Sequence, residues 1–367
     1  MKAFTFIHTS DLHLDLPIRG WKGSTEELLL RQREYRQTFE RIIRLAKDRQ
    51  VHFLLISGDF LEHQTIAWST VKWIMDQFHQ LPATRVFISP GKSDPWIKDS
   101  FYRTLDWPEH VHIFTDKWEE LVFEEYSLRI IGKGKGENVS NVALPAWVTG
   151  PAEEERRMMI TYGDVNEADL VPLELDYVAL GQNHQRNVYQ LDNTRNTVVC
   201  HPGSPEGISW KETGERTVTW GQFDSDGLTI EHLPIQTRRL ERIEVDVTAC
   251  KSIDEVLEKI VQSIPERKDR EVCWCLKITG RRDPGLILHP DQVSQKLKER
   301  SFFHVEVQDQ TTMGYNLDQL RSHGGLLGAY IRKMEKKIKE AAPEERMVLY
   351  RALEQGLDAL LKEVKYL

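Results

Sequence analysis

Four short segments of this 367-residue chain carry side chains able to hold a divalent ion: Asp11 and His13 in TSDLHLD, Asp59 in SGDF, Asp94 in PGKSDPW and His184 in ALGQNHQRN. Each alone is a weak signal, because an Asp-x-His pair also describes a turn aspartate capping a helix beside a surface histidine. Taken together they say more. They occur in order, each after an expected strand, and convergent carboxylates and imidazoles are what a divalent cation requires. His8 lies just before the Asp11 loop and His201 opens a Pro-Gly-Ser turn, so both are candidates for supporting the ligands rather than joining them. The remaining histidines lack ligand spacing and read as packing or surface residues.

The elements that position these residues follow from periodicity. Residues 3–9 alternate as a strand, and Ser24 with Glu27 forms a capping box that opens a helix carrying Leu28, Tyr35, Phe39, Ile42 and Ile43 at helical spacing. An apolar run at 51–57 stops at Gly58-Asp59, and a helix over 66–80 leads to a strand over 85–89 that ends at Pro90-Gly91. This β-α-β-α-β order predicts a parallel central sheet, with the acidic residues at the carboxyl ends of its strands, where open α/β sheets place their sites. From residue 111 to 233 short strands and turns alternate, and these are expected to form a second sheet on the first. After Arg238-Arg239 the pattern changes to a small α+β arrangement ending near residue 310. Two helices follow, split by Pro343, the second with a stripe of Leu349, Leu353, Leu357, Leu360 and Val364.

Composition excludes several classes. With 40% hydrophobic and 29% charged residues the chain is an ordinary globular protein. No apolar stretch reaches the roughly 18 to 20 residues needed to cross a bilayer, and the first residues lead into a strand, so a cytoplasmic protein without membrane partners is expected. The net charge of −8 argues against coating nucleic acid through bulk charge, and leaves a local basic groove open. Cys200, Cys250, Cys273 and Cys275 include no CxxC pair and read as reduced thiols in the core.

The segments FIHTSDLHLD, TLDWPEHVHIF, CHPGSPEGISWKETGERTV and EHLPIQTRR, in this order, resemble the calcineurin-like metallophosphoesterases, and within them the SbcD-type DNA-repair exonucleases. The resemblance implies an α/β two-sheet sandwich flanked by helices over residues 1–238, a small α+β capping domain over 239–310, and a helical partner-binding segment over 311–367. It also implies two metals. One is held by Asp11, His13, Asp59 and His184, all present. The other shares the bridging Asp59 and adds an asparagine and two histidines, at positions that here read Lys92, Tyr162 and Gln182. The histidine that assists the leaving group reads Ser93, and the trailing Asp94 is retained behind the ligands. The private ligands of one metal are thus all replaced while those of the other remain. The expectation is at most one divalent ion, Mn²⁺ by family habit, or none if the site is fully inactive, with the Lys92 ammonium beside Asp59 or Asp94 in place of the second ion.

Two functions follow from the resemblance. One is a subunit of a DNA-repair complex whose nuclease activity is lost or strongly reduced; the other is an active exonuclease working with one metal. A small-molecule phosphoesterase fits less well, because it has no need of the capping and terminal segments. The expected partners are DNA, an SbcC-like ATPase whose coiled-coil root would dock on Leu349, Leu353, Leu357 and Leu360, and a second copy in a homodimer. The same leucine stripe could instead pack on the preceding helix through Leu326, Leu327, Ile331 and Ile338.

Overall fold

The computed structural model describes residues 2–18, 20–137, 155–264, 271–283, 286–315 and 317–364. The chain divides into two compact units, Met1–Glu241 with Arg270–Cys273, and Arg242–Asp269 with Trp274–Leu367.

In chain order the first unit contains β1 (Phe4–Thr9), α1 (Thr25–Asp48), β2 (Phe53–Ile56), α2 (Trp68–Phe78), β3 (Arg85–Ile88), a short α3 (Phe101–Thr104), β4 (Val111–Ile113), β5 (Glu119–Phe123) and β6 (Leu128–Lys133). It continues with β7 (Arg156–Thr161), a short α4 (Glu167–Leu170), β8 (Tyr177–Leu180), β9 (Asn187–Gln190), β10 (Val198–His201), β11 (Thr217–Asp224) and β12 (Gly227–Pro234). Two six-stranded sheets result, ordered β12-β11-β1-β2-β3-β4 and β5-β6-β7-β8-β10-β9. Strands β1 to β4 pair in parallel, as the β-α-β pattern predicts. In the second sheet β6, β7, β8 and β10 are parallel, with antiparallel edges at β5 and β9.

Alternation along the strands splits the core into layers. Phe4, Phe6, Phe53 and Phe87 of the first sheet meet Leu128, Ile130, Met158 and Tyr177 of the second in one buried cluster. Ile7, Leu54, Ile56 and Ile88 point the other way and pack on Phe39, Ile42, Ile43, Ile74 and Phe78 of α1 and α2. The outer face of the second sheet is covered through Leu170, Leu173 and Leu175. Helix α1 starts at the expected capping box, with Ser24 and Glu27 bonding reciprocally. The four cysteines are buried free thiols.

The division of strands between sheets corrects the sequence reading. Strands β4, β11 and β12 belong to the first sheet. Their alternation marks them as strands, but the choice of neighbour depends on long-range packing that periodicity does not carry.

The second unit holds most of β13 (Arg239–Asp246) and β14 (Val272–Thr279), which with β16 (His304–Asp309) form a sheet ordered β13-β14-β16. Helices α5 (Ile253–Ser263) and α6 (Pro290–Glu299) and a two-strand pair, β15 (Arg281–Arg282) with β17 (Thr312–Met313), accompany it. Helices α7 (Leu317–Arg321), α8 (Gly325–Glu340) and α9 (Pro343–Val364) follow. Leu353 and Leu357 are fully buried against Ile331, Met334 and Ile338 of α8, with Leu349 half-buried at the edge. Half of the stripe expected to face a partner is therefore consumed within the chain. Among the described side chains of α8 and α9, Leu326, Val348 and Tyr350 are the large apolar ones left exposed.

Candidate metal centre

The site is built where parallel strands end side by side. Asp11 and His13 follow β1, and Asp59 follows the adjacent β2. The two loops continue the pairing of their strands: Asp11 N–H donates to Gly58 O at 3.0 Å, His13 N–H to Asp59 O at 2.9 Å and Leu14 N–H to Phe60 O at 3.0 Å. Asp11, His13, Asp15 and Asp59 all hold a left-handed backbone, with φ of 52°, 47°, 64° and 49°, as does Gln182 at 83°. Such conformations cost about 1–3 kcal/mol each and persist where surrounding structure fixes them. Asp94 supplies part of that fixing. Buried after β3, it accepts the N–H groups of Asp59 (3.1 Å), Phe60 (2.8 Å), Leu61 (3.1 Å) and Gly91 (2.7 Å), and the Tyr102 hydroxyl at 2.6 Å. Burial and the nearby Asp59 push its carboxyl up to about 6, against the pull of these donors.

His184 arrives on the loop after β8, and Asp11, His13 and His184 converge so that one donor atom from each lies within 4.8 Å of the others. His184 Nε2 is 3.8 Å from Asp11 Oδ1, and His13 Nε2 is 3.8 Å from Asp59 Oδ2. His13 Nε2 is buried with no hydrogen-bond partner among the described residues. An orphaned buried nitrogen facing carboxylate oxygens is a misfit in a purely protein environment and a fit for a coordinated cation. The opposite ring nitrogens are engaged: His13 Nδ1 lies 2.6 Å from Glu62 Oε1, and His184 Nδ1 lies 3.3 Å from Glu212 Oε1. Sequence reasoning missed both glutamates. Glu62 sits three residues beyond Asp59, and Glu212 lies in WKETGERT, so the signal was motif proximity rather than spacing.

The charges agree with this geometry. Burial pushes the Asp11 carboxyl up to about 6 despite the Ser10 hydroxyl and His184. Burial opposes protonation of His13, yet Glu62, Asp59 and Asp11 outweigh it and raise its pKa. Glu212 raises that of His184 against the effect of burial.

Asp59 stands apart from the three-donor cluster. Its Oδ2 accepts the Tyr162 hydroxyl at 2.9 Å and its Oδ1 accepts the Ser93 N–H at 2.7 Å. The Tyr162 ring lies over the backbone of Gly58 and Gly91, where a Cβ on either would run into it. Burial and Asp59 raise the phenol well above its usual range, so it remains a donor. The expected Lys92 pairing is corrected: Lys92 is exposed and bonds to neither Asp59 nor Asp94. Two neutral donors already satisfy Asp59, and the ammonium keeps its hydration. Gln182 is also exposed, its N–H donating to Asp11 Oδ1 at 3.2 Å. The Ser93 hydroxyl is 3.4 Å from His13 Nδ1.

A profile of the calcineurin-like phosphoesterases matches residues 4–229. The chain belongs to this family. Among curated proteins it is similar to the uncharacterized metallophosphoesterase YhaO of Bacillus subtilis (strain 168), 24% identical over 354 residues, covering 86% of this chain and 84% of that one. Among solved structures, TT1561 of Thermus thermophilus has 13% identity and a TM-score of 0.36, covering 63% of this chain and 99% of the other. A dimetal phosphatase from Danio rerio has 11% identity and a TM-score of 0.38, covering 64% and 98%.

Within this calcineurin-like centre His8 and His201 act on the scaffold of the loops. His8 is fully buried between the Tyr177 hydroxyl (2.8 Å) and Ser57 Oγ (2.7 Å), and burial lowers its pKa far enough to keep it neutral. His201 Nδ1 is 3.2 Å from Gly181 O, one residue before Gln182. Beside the donors opens a groove of about 660 Å³, lined by His184, Glu62 and Glu212 together with Leu16, Ile18 and Ile208. No helix among the described residues is long and apolar enough to cross a membrane.

Proposed function

We propose that this chain is an SbcD-type metallophosphoesterase subunit of a DNA-repair complex, holding one divalent ion, manganese, and having lost most or all nuclease activity. The Tyr162 hydroxyl on Asp59 carries the reading: the carboxylate that would bridge two metals is committed to a protein donor whose ring packs against Gly58 and Gly91. Asp11, His13 and His184 would hold the ion, with Asp59 the fourth group of the family set. When bound, such an ion polarises a phosphoryl oxygen and lowers the pKa of water. The chain's own residues supply less. Ser93 cannot deliver a proton at neutral pH as an imidazole would, an assistance worth about 10²–10⁴-fold. Partner binding belongs to the same proposal: DNA, a second copy, and an SbcC-like ATPase meeting the C-terminal helices through exposed Leu326, Val348 and Tyr350 rather than through Leu353 and Leu357.

The test combines metal counting with a manganese-dependent nuclease assay on single- and double-stranded DNA. The expected result is one manganese per chain and hydrolysis no faster than in the Asp11→Ala variant. Two manganese ions per chain, or vigorous cleavage abolished by Asp59→Ala, would overturn the loss of activity. Weak cleavage that needs His184 but not Ser93 would instead identify a one-metal exonuclease, a reading favoured by the intact three-donor cluster.

A further inference from the structure

The two histidines of the donor cluster come from different loops, yet each is backed in the same way. His13 Nδ1 lies 2.6 Å from Glu62 Oε1 and His184 Nδ1 lies 3.3 Å from Glu212 Oε1, while both Nε2 atoms face the carboxylates of the site. We propose that Glu62 and Glu212 are a matched pair of positioning residues that fix both imidazoles with Nδ1 protonated and Nε2 free to bind a divalent cation. A carboxylate accepting the Nδ1 proton sets the tautomer, holds the ring plane and makes the opposite nitrogen a stronger donor.

Each glutamate is itself held. Glu212 is buried and accepts from Ser204 Oγ at 2.7 Å, Ser209 Oγ at 2.9 Å and Ile208 N–H at 3.2 Å, so its carboxylate is fixed before any ion arrives. Glu62 is fixed through its backbone: its N–H donates to Leu14 O at 3.1 Å, and its carbonyl accepts the N–H groups of Thr65 (3.0 Å) and Ile66 (2.8 Å). Its side chain is more open to the groove, at 19% exposed against 6% for Glu212. The hydrogen-bond networks around the two do not overlap, so two independent pieces of chain support the same arrangement. A cap or core contact would not require that both histidines turn the same nitrogen toward the carboxylates of the site.

This inference rests on the reading that Asp11, His13 and His184 hold a cation, and the experiment separates the two. Cobalt(II) is titrated into the full chain by calorimetry and by visible absorption, which reports the ligand field at the ion. Wild type, Glu62→Gln and Glu212→Gln are compared; glutamine keeps the shape and an acceptor oxygen but removes the charge. Far-ultraviolet circular dichroism and urea unfolding confirm the fold of each variant. Affinity is expected to fall about 10- to 100-fold in each variant, with a shifted cobalt band. Equal affinity and an unchanged band in both folded variants would overturn the positioning role while leaving the metal site standing. Failure of wild type to bind cobalt, or binding with the same affinity and band in Asp11→Ala, would overturn both. His13 is the hydrogen-bond partner of the Glu62 side chain among the described residues, so Glu62→Gln remains informative if Glu212→Gln misfolds.

Discussion

The Tyr162–Asp59 hydrogen bond gives a nearly buried carboxylate a neutral donor, and it should be measurable as stability. Tyr162→Phe leaves one oxygen of a nearly buried carboxylate without its donor, for an expected loss of about 1–3 kcal/mol in urea unfolding of the metal-free chain. An unchanged midpoint would mean that water replaces the phenol freely. Metal affinity should also depend on pH in a defined direction. The donors bind only when deprotonated, and without metal the Asp11 carboxyl titrates near pH 6 while both imidazoles titrate above their ordinary value. Protons therefore compete with the ion at low pH: manganese affinity should rise as pH increases through that range and level off above the histidine values. Calorimetry in buffers of different ionisation enthalpy would count the released protons, and an affinity flat from about pH 5 to 8 would contradict the assignment. The convergence of Asp11, His13 and His184 was legible in the sequence because their side-chain types and strand-end positions already point to one place. Glu62 and Glu212 were not, since nothing in spacing shows which carboxylate will sit behind an imidazole. Lys92 was misread because charge compensation was weighed without counting neutral donors such as Tyr162 and the Ser93 N–H.

Element placement depends on a buried polar network. Arg31 of α1, fully buried, pairs with Glu34 and with Glu206 at 2.8 Å, and donates to Gly207 O at 2.8 Å. Glu206 also accepts from Thr38 Oγ1 (2.7 Å) and from the Thr237 N–H (2.6 Å), tying α1 to the segments before β11 and after β12. Arg31→Met should destabilise the chain by about 3–5 kcal/mol, because it leaves buried Glu206 without its cation and Glu34 with Arg238 alone. Arg31→Lys should rescue little, since one ammonium cannot reproduce a fork that serves two carboxylates and a carbonyl. Chemical denaturation checks both; a loss below about 1 kcal/mol would mean that water enters and satisfies Glu206. Helix α1 itself was legible from its capping box and apolar spacing, and β1 to β3 from their abrupt ends at Gly and Pro. The short β9 at Asn187–Gln190, exposed at both ends, offers only Val188 and Tyr189 as an apolar run, and β4, β11 and β12 gave no sign of which sheet would take them.

At the scale of the whole molecule, the cation donors lie in one compact unit and the α8–α9 helix pair in the other. The leucine stripe was legible as amphipathic, but its cover was not, because a helical period shows that a face must be buried and not by what. With Leu353 and Leu357 at 2% and 0% exposure, acidic substitutions there test packing, whereas Val348→Glu or Tyr350→Glu tests a partner surface. The two units should also answer separately to heat. An ion that binds only the native first unit stabilises it by about 2.7 kcal/mol at a concentration 100 times its Kd. For a unit of this size that corresponds to a rise of about 5–10 °C in one calorimetric transition. Leu357→Glu buries a charge among Ile331, Met334 and Ile338 and should lower a different transition, leaving the manganese-dependent rise intact. If manganese shifts every transition equally, or Leu357→Glu removes its effect, the chain melts as one cooperative body. The unit that carries Asp11, His13 and His184 could then not be treated as thermodynamically separate from the helical one.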